Sequence, residues 1–165
     1  MNYKKLAVLL LSAAYIFCLS AIFTADLYYR RSLAAKDRKI SPTKALGYIN
    51  KAIFLNPVRS TYRYQKYYLL KMFYANRKAK SACHLSQTAK QNLLSKGIQN
   101  LEKAIELEPT KPSYHLFYAL SLIKRDLLRG KEIPKIARQE LRRAVELKPY
   151  SELYQQIYNQ RLSSI

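Results

Sequence analysis

Cys83 and His84 stand side by side, and His115 is the only other histidine. Thiolate and imidazole are zinc ligands, but a zinc site needs several such groups at spacings that let them converge. An adjacent pair with one distant histidine does not supply that. Glu102, Glu106 and Glu108 lie near Lys103, and neighbouring carboxylates can exchange protons in acid–base catalysis. On a helix the same spacing reads as ordinary charge pairing on an exposed side. No glycine-rich phosphate loop occurs, and no Ser/His/Asp or Cys/His set has catalytic surroundings. Cys18 lies in an apolar run and Cys83 in a polar connection, so a disulfide scaffold is not indicated. The chain reads as a non-enzyme that calls for no metal or cofactor. Its usable chemistry is that of binding. From Arg59 to Lys80, tyrosines alternate with lysines and arginines. Cations give charge-assisted hydrogen bonds to anionic groups, and phenol rings give apolar area with a polar tip.

The charge balance agrees. The 165-residue chain carries 30 Lys and Arg against 10 Asp and Glu, a net charge of +20. No acid occurs from Arg38 to Leu101, a stretch with 13 basic residues. Such a surface suits acidic protein segments, anionic lipid headgroups or nucleic acid. For nucleic acid, tyrosines of Arg59–Lys80 would stack on bases while basic residues met phosphates. A membrane span makes that the less favoured partner.

The elements that must position these residues begin with such a span. Lys4 and Lys5 precede twenty uncharged residues, Leu6 to Ala25, which Asp26 closes. As a helix they cover roughly 30 Å, the thickness of a bilayer's hydrocarbon core. Tyr28 and Tyr29 follow at interfacial depth. A cleaved secretory signal is the rival, but cleavage after Ala25 or Ala21 would leave Phe23 or Leu19 where a small residue is wanted. The expectation is residues 1–25 as a single-pass membrane anchor and 26–165 as a separate domain. Arg30, Arg31, Lys36, Arg38, Lys39 and Lys44 follow the span. They can meet anionic headgroups, and by the positive-inside rule they favour the cytoplasmic side for the domain. A short basic tail before a span also begins many exported, anchored proteins.

The rest is helical, organised by one motif that occurs three times. Ala45–Pro57, Gly97–Pro109 and Ala137–Pro149 align from their prolines. Leu55, Leu107 and Leu147 lie two residues before the proline, Ala52, Ala104 and Ala144 five before, and Ile49, Leu101 and Leu141 eight before. Alanine at these points permits close helix packing, and the proline enforces the stop. Helices are expected over Asp26–Lys39, Ser41–Asn56, Arg59–Asn76, Gln87–Glu108, Lys111–Leu128, Ile133–Lys148 and Tyr150–Leu162. Arg77–Ser86 reads as a loop, and Pro134 as a first-turn residue. Tyr150, Tyr154 and Tyr158 form a stripe suited to covering the open end of a stack. Helix pairs with one apolar face each must stack to bury it, which gives a solenoid.

These copies resemble tetratricopeptide repeats. The second-helix pattern of that family, small residue, aliphatic, alanine, proline, falls on Ala45, Ile49, Ala52 and Pro57, on Gly97, Leu101, Ala104 and Pro109, and on Ala137, Leu141, Ala144 and Pro149. First-helix positions fall on Tyr114, Tyr118 and Ala119, on Tyr28, Tyr29 and Ser32, and on Tyr62, with Tyr67 standing where a small residue is usual. The prolines are 52 and 40 residues apart, against a family period of about 34, so insertions are expected near Arg77–Ser86 and Leu128–Lys135. The resemblance implies an all-α fold: one N-terminal transmembrane helix, then a short solenoid of about three helix pairs with a C-terminal capping helix. It implies a protein partner, either a peptide segment or a component of a membrane complex, lying on the concave face made by the first helices. It points to Tyr29 and Lys36, to Tyr64, Tyr68 and Lys71, and to Leu116 and Leu120 as the groove. A span followed by such repeats is also similar to small anchored repeat proteins of bacterial envelopes and to the arrangement in some surface-polysaccharide polymerases and ligases.

Overall fold

Each proline-terminated copy is a helix that stops two residues before its proline. These are α2 (Pro42–Leu55), α4 (Gln87–Leu107) and α6 (Lys135–Leu147). The residue before proline is pushed out of the helical region by the ring. Asn56, Glu108 and Lys148 accordingly share one non-helical conformation, with φ of −142°, −148° and −144° and ψ of 84°, 77° and 67°. The N–H of Asn56 still donates to Ala52 and that of Glu108 to Ala104, which closes the last turn. At the other end, the Ser41 and Ser86 hydroxyls accept from the backbone N–H of Lys44 and Ala89 at 3.3 and 3.1 Å, as N-caps do. Pro134 caps α6 from outside rather than sitting in its first turn, because its backbone is extended.

A computed structural model describes residues 3–35, 40–79 and 86–162, and every regular element among them is a helix. The remaining four are α1 (Tyr3–Leu33), α3 (Ser60–Ala79), α5 (Pro112–Leu127) and α7 (Glu152–Leu162). Each helix packs against the next in sequence. α1 and α2, α3 and α4, and α5 and α6 form three antiparallel pairs, and α7 covers the end. Gly130, with φ of +65°, lets the chain leave α5 in a conformation that side chains resist. Arg77 to Ala79, expected in a loop, belong to α3, and residues 80–85 lie outside the described residues. Cys83 and His84 lie outside the described residues.

The core has two parts. Ala25, Ala45, Ile49, Ala52 and Leu69 join α1, α2 and α3, while Ile98, Leu101, Ala119, Leu122, Leu141 and Ala144 join α4, α5 and α6. Ser32 and Ala119, at the small positions of the first helices, are fully buried. The second pair breaks the pattern twice, and the two breaks compensate. Tyr67 puts a ring where a small residue is usual, and Gly97 faces it without a side chain. A Cβ on Gly97 would meet Tyr67 Cδ2 at 3.3 Å.

Polar ties run across the pairs. The Tyr62 hydroxyl donates to Asp26, and the Ser60 hydroxyl to Glu108, which lies near Tyr114 as well. Tyr118 donates to Glu102 at 2.7 Å. His115 lies between Glu140 on Nδ1 and the Pro109 carbonyl on Nε2. Of the three glutamates expected to pair on an exposed side, Glu106 does so with Lys103 at 2.7 Å. Glu108 pairs with Lys111 at 3.3 Å and also accepts from Ser60, while Glu102 accepts from the Tyr118 hydroxyl of a neighbouring helix. Tyr150 lies outside α7 and is exposed, so the expected tyrosine stripe begins only at Tyr154.

The first turns of α1 stand clear of everything else. The apolar stretch of this helix is long enough to cross a membrane, and none of it is buried in the protein. Burial starts near Ala25, and the helix runs through that point unbroken.

The ring-for-glycine exchange is testable in the full chain in detergent. Gly97→Val is expected to cost about 1–3 kcal/mol by overpacking. In a Tyr67→Ala background most of that cost should vanish, a coupling that a double-mutant cycle reads from urea midpoints. An equal cost in both backgrounds would show that the two positions do not compete for space.

Candidate functional site

α3 and α5 meet through aromatic rings. Tyr64 lies 5.2 Å from Tyr114, 5.8 Å from Phe117 and 6.2 Å from Tyr67, all tilted, and Tyr67 lies 6.1 Å from Phe117. Such contacts exceed their area burial by about 0.5–1.5 kcal/mol each, which holds the two first helices side by side. One contact of the same kind, Tyr29 on Tyr62 at 5.1 Å, joins α1 to α3.

Beside this cluster a cavity of about 120 Å³ opens between α3, α4 and α5. Leu70, Leu93, Leu94 and Leu120 make its walls apolar, with Tyr67 and Phe117 rings beside them. Lys71 and Lys124 also line it, and among the described residues no acid does. The Lys71 ammonium lies over the Phe117 ring at 5.4 Å, a cation–π position that holds the charge at the cavity. Leu93 and Leu94 come from extra length. α3 and α4 have 20 and 21 residues, against 16 and 13 in α5 and α6. The insertion expected between the first two prolines therefore extends this hairpin and supplies a wall of the cavity. A second basic group, Arg63, Lys66 and Lys96, lies on the same two helices. Burial first, and then its two cationic neighbours, hold the Lys66 ammonium below the usual lysine range.

The expected groove residues separate. Tyr64, Lys71 and Leu120 come together at the α3–α5 site. Tyr68 is half-buried on the same helix, one turn from Tyr64. Tyr29 lies at the α1–α3 junction with Tyr62. Leu116 is 4% exposed and belongs to the core, so it packs the solenoid instead of facing a groove. Lys36 lies outside the described residues. Phe117, Lys124, Leu93 and Leu94 were not among the expected residues. The one sequence signal for this spot is the pairing of Tyr67 with Gly97 in the same repeat.

Burial and neighbouring phenols push Tyr64 up to about 12, and burial with a carboxylate partner raises Tyr62 and Tyr118 further. Below pH 10, the ordinary value, the neutral phenols contribute fully to stability. As pH rises from 10 toward 12 the unfolded chain loses these protons first, so stability falls. Urea midpoints followed by circular dichroism should drop across that window, and less steeply in Tyr64→Phe. An identical slope in the variant would mean that Tyr64 ionises as it does in an unfolded chain.

No protein-family model matches the sequence, and no curated protein matches it. Solved structures do match in shape. The Arabidopsis OM64 TPR domain is similar with a TM-score of 0.63 at 16% identity, over 88% of this chain and 99% of that one. The first TPR domain of Spaghetti (RPAP3), bound to the HSP90 peptide SRMEEVD, gives a TM-score of 0.65 at 8% identity over 87% and 94%. A chain of a CopN–Scc3 complex gives 0.57 at 14% identity over 85% and 68%. At these identities the likeness is one of fold: seven described helices arranged as a tetratricopeptide-repeat solenoid.

Proposed function

We propose that this protein is a membrane-tethered binding module whose α3–α5 groove holds an extended acidic segment of a partner protein. One observation carries the reading: an apolar cavity lined, among the described residues, by two lysines and no acid, set beside a cluster of aromatic rings. An acidic peptide with one apolar side chain fits that chemistry. The side chain enters the cavity, and flanking carboxylates meet Lys71 and Lys124 in charge-assisted hydrogen bonds. Tyr64, Tyr68 and Leu120 add contact area, with Tyr29 extending the surface toward α1. The RPAP3 domain, of like fold, is bound to a peptide rich in glutamate and aspartate, SRMEEVD, which supports this class of ligand. The exposed apolar part of α1 supports residues 1–25 as the tether and 26–165 as the binding domain. The order of span and repeats supports a place in an envelope assembly.

The full chain in lipid nanodiscs can be titrated against fluorescein-labelled heptapeptides that contain one leucine among glutamates. Binding by anisotropy should weaken with salt, and Lys71→Glu with Lys124→Glu should weaken it about tenfold or more, one charge-assisted bond being worth ~1.5–3 kcal/mol. Lysine-containing peptides should not bind. Equal affinity for both peptide classes, or no binding at low salt, would sink the reading. Carbonate extraction of the full chain from membranes would separately refute the tether.

A further inference from the structure

We propose that one edge of the solenoid, formed by the turns that follow α2, α4 and α6, rests in the headgroup layer of the bilayer that α1 crosses. This rests on the membrane reading of α1 and adds a second contact to it.

The placement follows from chain direction. α1 leaves the span without a break, and Ala25, its last uncharged residue, is already in the core. No linker separates bilayer from domain. α2 runs back along α1: Tyr48 stacks on Tyr28 at 6.2 Å, and the Lys51 ammonium lies over the same ring at 5.4 Å. Three residues further, Phe54 is about 4.5 Å closer to the membrane along the helix axis, near the level of Ala25. A hydrogen bond fixes the same level from the other side. Tyr62, in the first turn of α3, donates to Asp26, the first charged residue after the span. The α2–α3 turn therefore lies at the end of the hydrophobic stretch.

That turn is apolar and uncovered. Phe54 is 85% exposed and Val58 72%. Because the helices alternate in direction, the turns after α4 and α6 lie on the same edge. Ser60 ties the first two turns together through Glu108 and Tyr114. The third turn presents Tyr150, 98% exposed, with Leu153 beside it. Arg59, Lys111 and Lys148 sit in or next to the three turns. An aromatic ring with a polar tip, small apolar side chains and cations able to reach phosphates are the residues an interfacial layer takes up. The described turn at the opposite edge carries Arg129, Lys131 and Glu132 at its tip, and Leu127 and Ile136 at the flanking helix ends are 57% and 50% exposed, less than Phe54, Val58 and Tyr150.

The test uses the full chain in vesicles of zwitterionic and anionic phospholipid, with Cys18→Ser and Cys83→Ser as background. Single cysteines replace Phe54, Val58, Tyr150, Lys131 or Leu11 and carry an environment-sensitive fluorophore. Labels at 54, 58 and 150 should shift to the blue, be quenched by lipids with headgroup nitroxides, and resist aqueous iodide. The label at 131 should be quenched by iodide alone, and the label at 11 only by nitroxides deep in the acyl chains. If 54, 58 and 150 behave like 131 while 11 is deep, the edge proposal is overturned and the span stands. If they resist both quenchers, a protein surface covers the edge and the proposal is again overturned. If 11 is open to iodide, the membrane reading fails and takes this proposal with it.

Discussion

A proline ring clashes with the residue before it and removes one backbone donor. That constraint acts at Pro57, Pro109 and Pro149, and it sets the shape of the whole protein. Asn56, Glu108 and Lys148 take closely similar non-helical conformations, so each of the three helices ends two residues before its proline. The helices that end there can lie close to their neighbours because Ala52, Ala104 and Ala144 present only a methyl group. Stop and close approach together generate the stack. Its first helices are then brought near enough for Tyr29 to touch Tyr62, and for Tyr64 to touch Tyr114 and Phe117.

The scarce acids serve this framework. Asp26 accepts from Tyr62, Glu102 from Tyr118, Glu108 from Ser60, and Glu140 faces His115. Asp126 takes a two-point contact from Arg125, and Glu106 and Glu146 pair with Lys103 and Arg143. Little negative charge is left over to neutralise the basic surface. A carboxylate brought by a partner would therefore approach a strongly basic surface, and its approach would be favoured from a distance at low salt.

The fold was legible in the sequence because its determinants are local and repeated. Three aligned prolines, alanines and aliphatics identify the second helices and hence the pairing. The site was less legible because it depends on what crosses between repeats. Leu116 has the spacing of a groove residue, yet α5 turns that side inward, and nothing local to the helix reveals it. Phe117, the ring that Tyr64 and Lys71 both reach, has no distinguishing neighbour in sequence. Glu102 looks like part of an exposed charge pair until the Tyr118 hydroxyl arrives from another helix, and Glu108, which does pair with Lys111, also accepts from Ser60. Tyr67 and Gly97 are the instructive case. Each alone is a departure from the repeat, but a large residue and a missing side chain thirty positions apart describe one contact.

α1 has 31 residues and no break, so the join between its exposed and its packed part has no hinge. A helix turns about 100° per residue. The direction in which the groove opens is therefore a phase, set by the number of residues between the exposed first turns and Ala25. Adding one residue in the exposed part would leave every contact of the solenoid intact and swing the groove by about a quarter turn around the stem. Length in this segment is thus a form of aim: it decides which neighbour around the stem the lysines face.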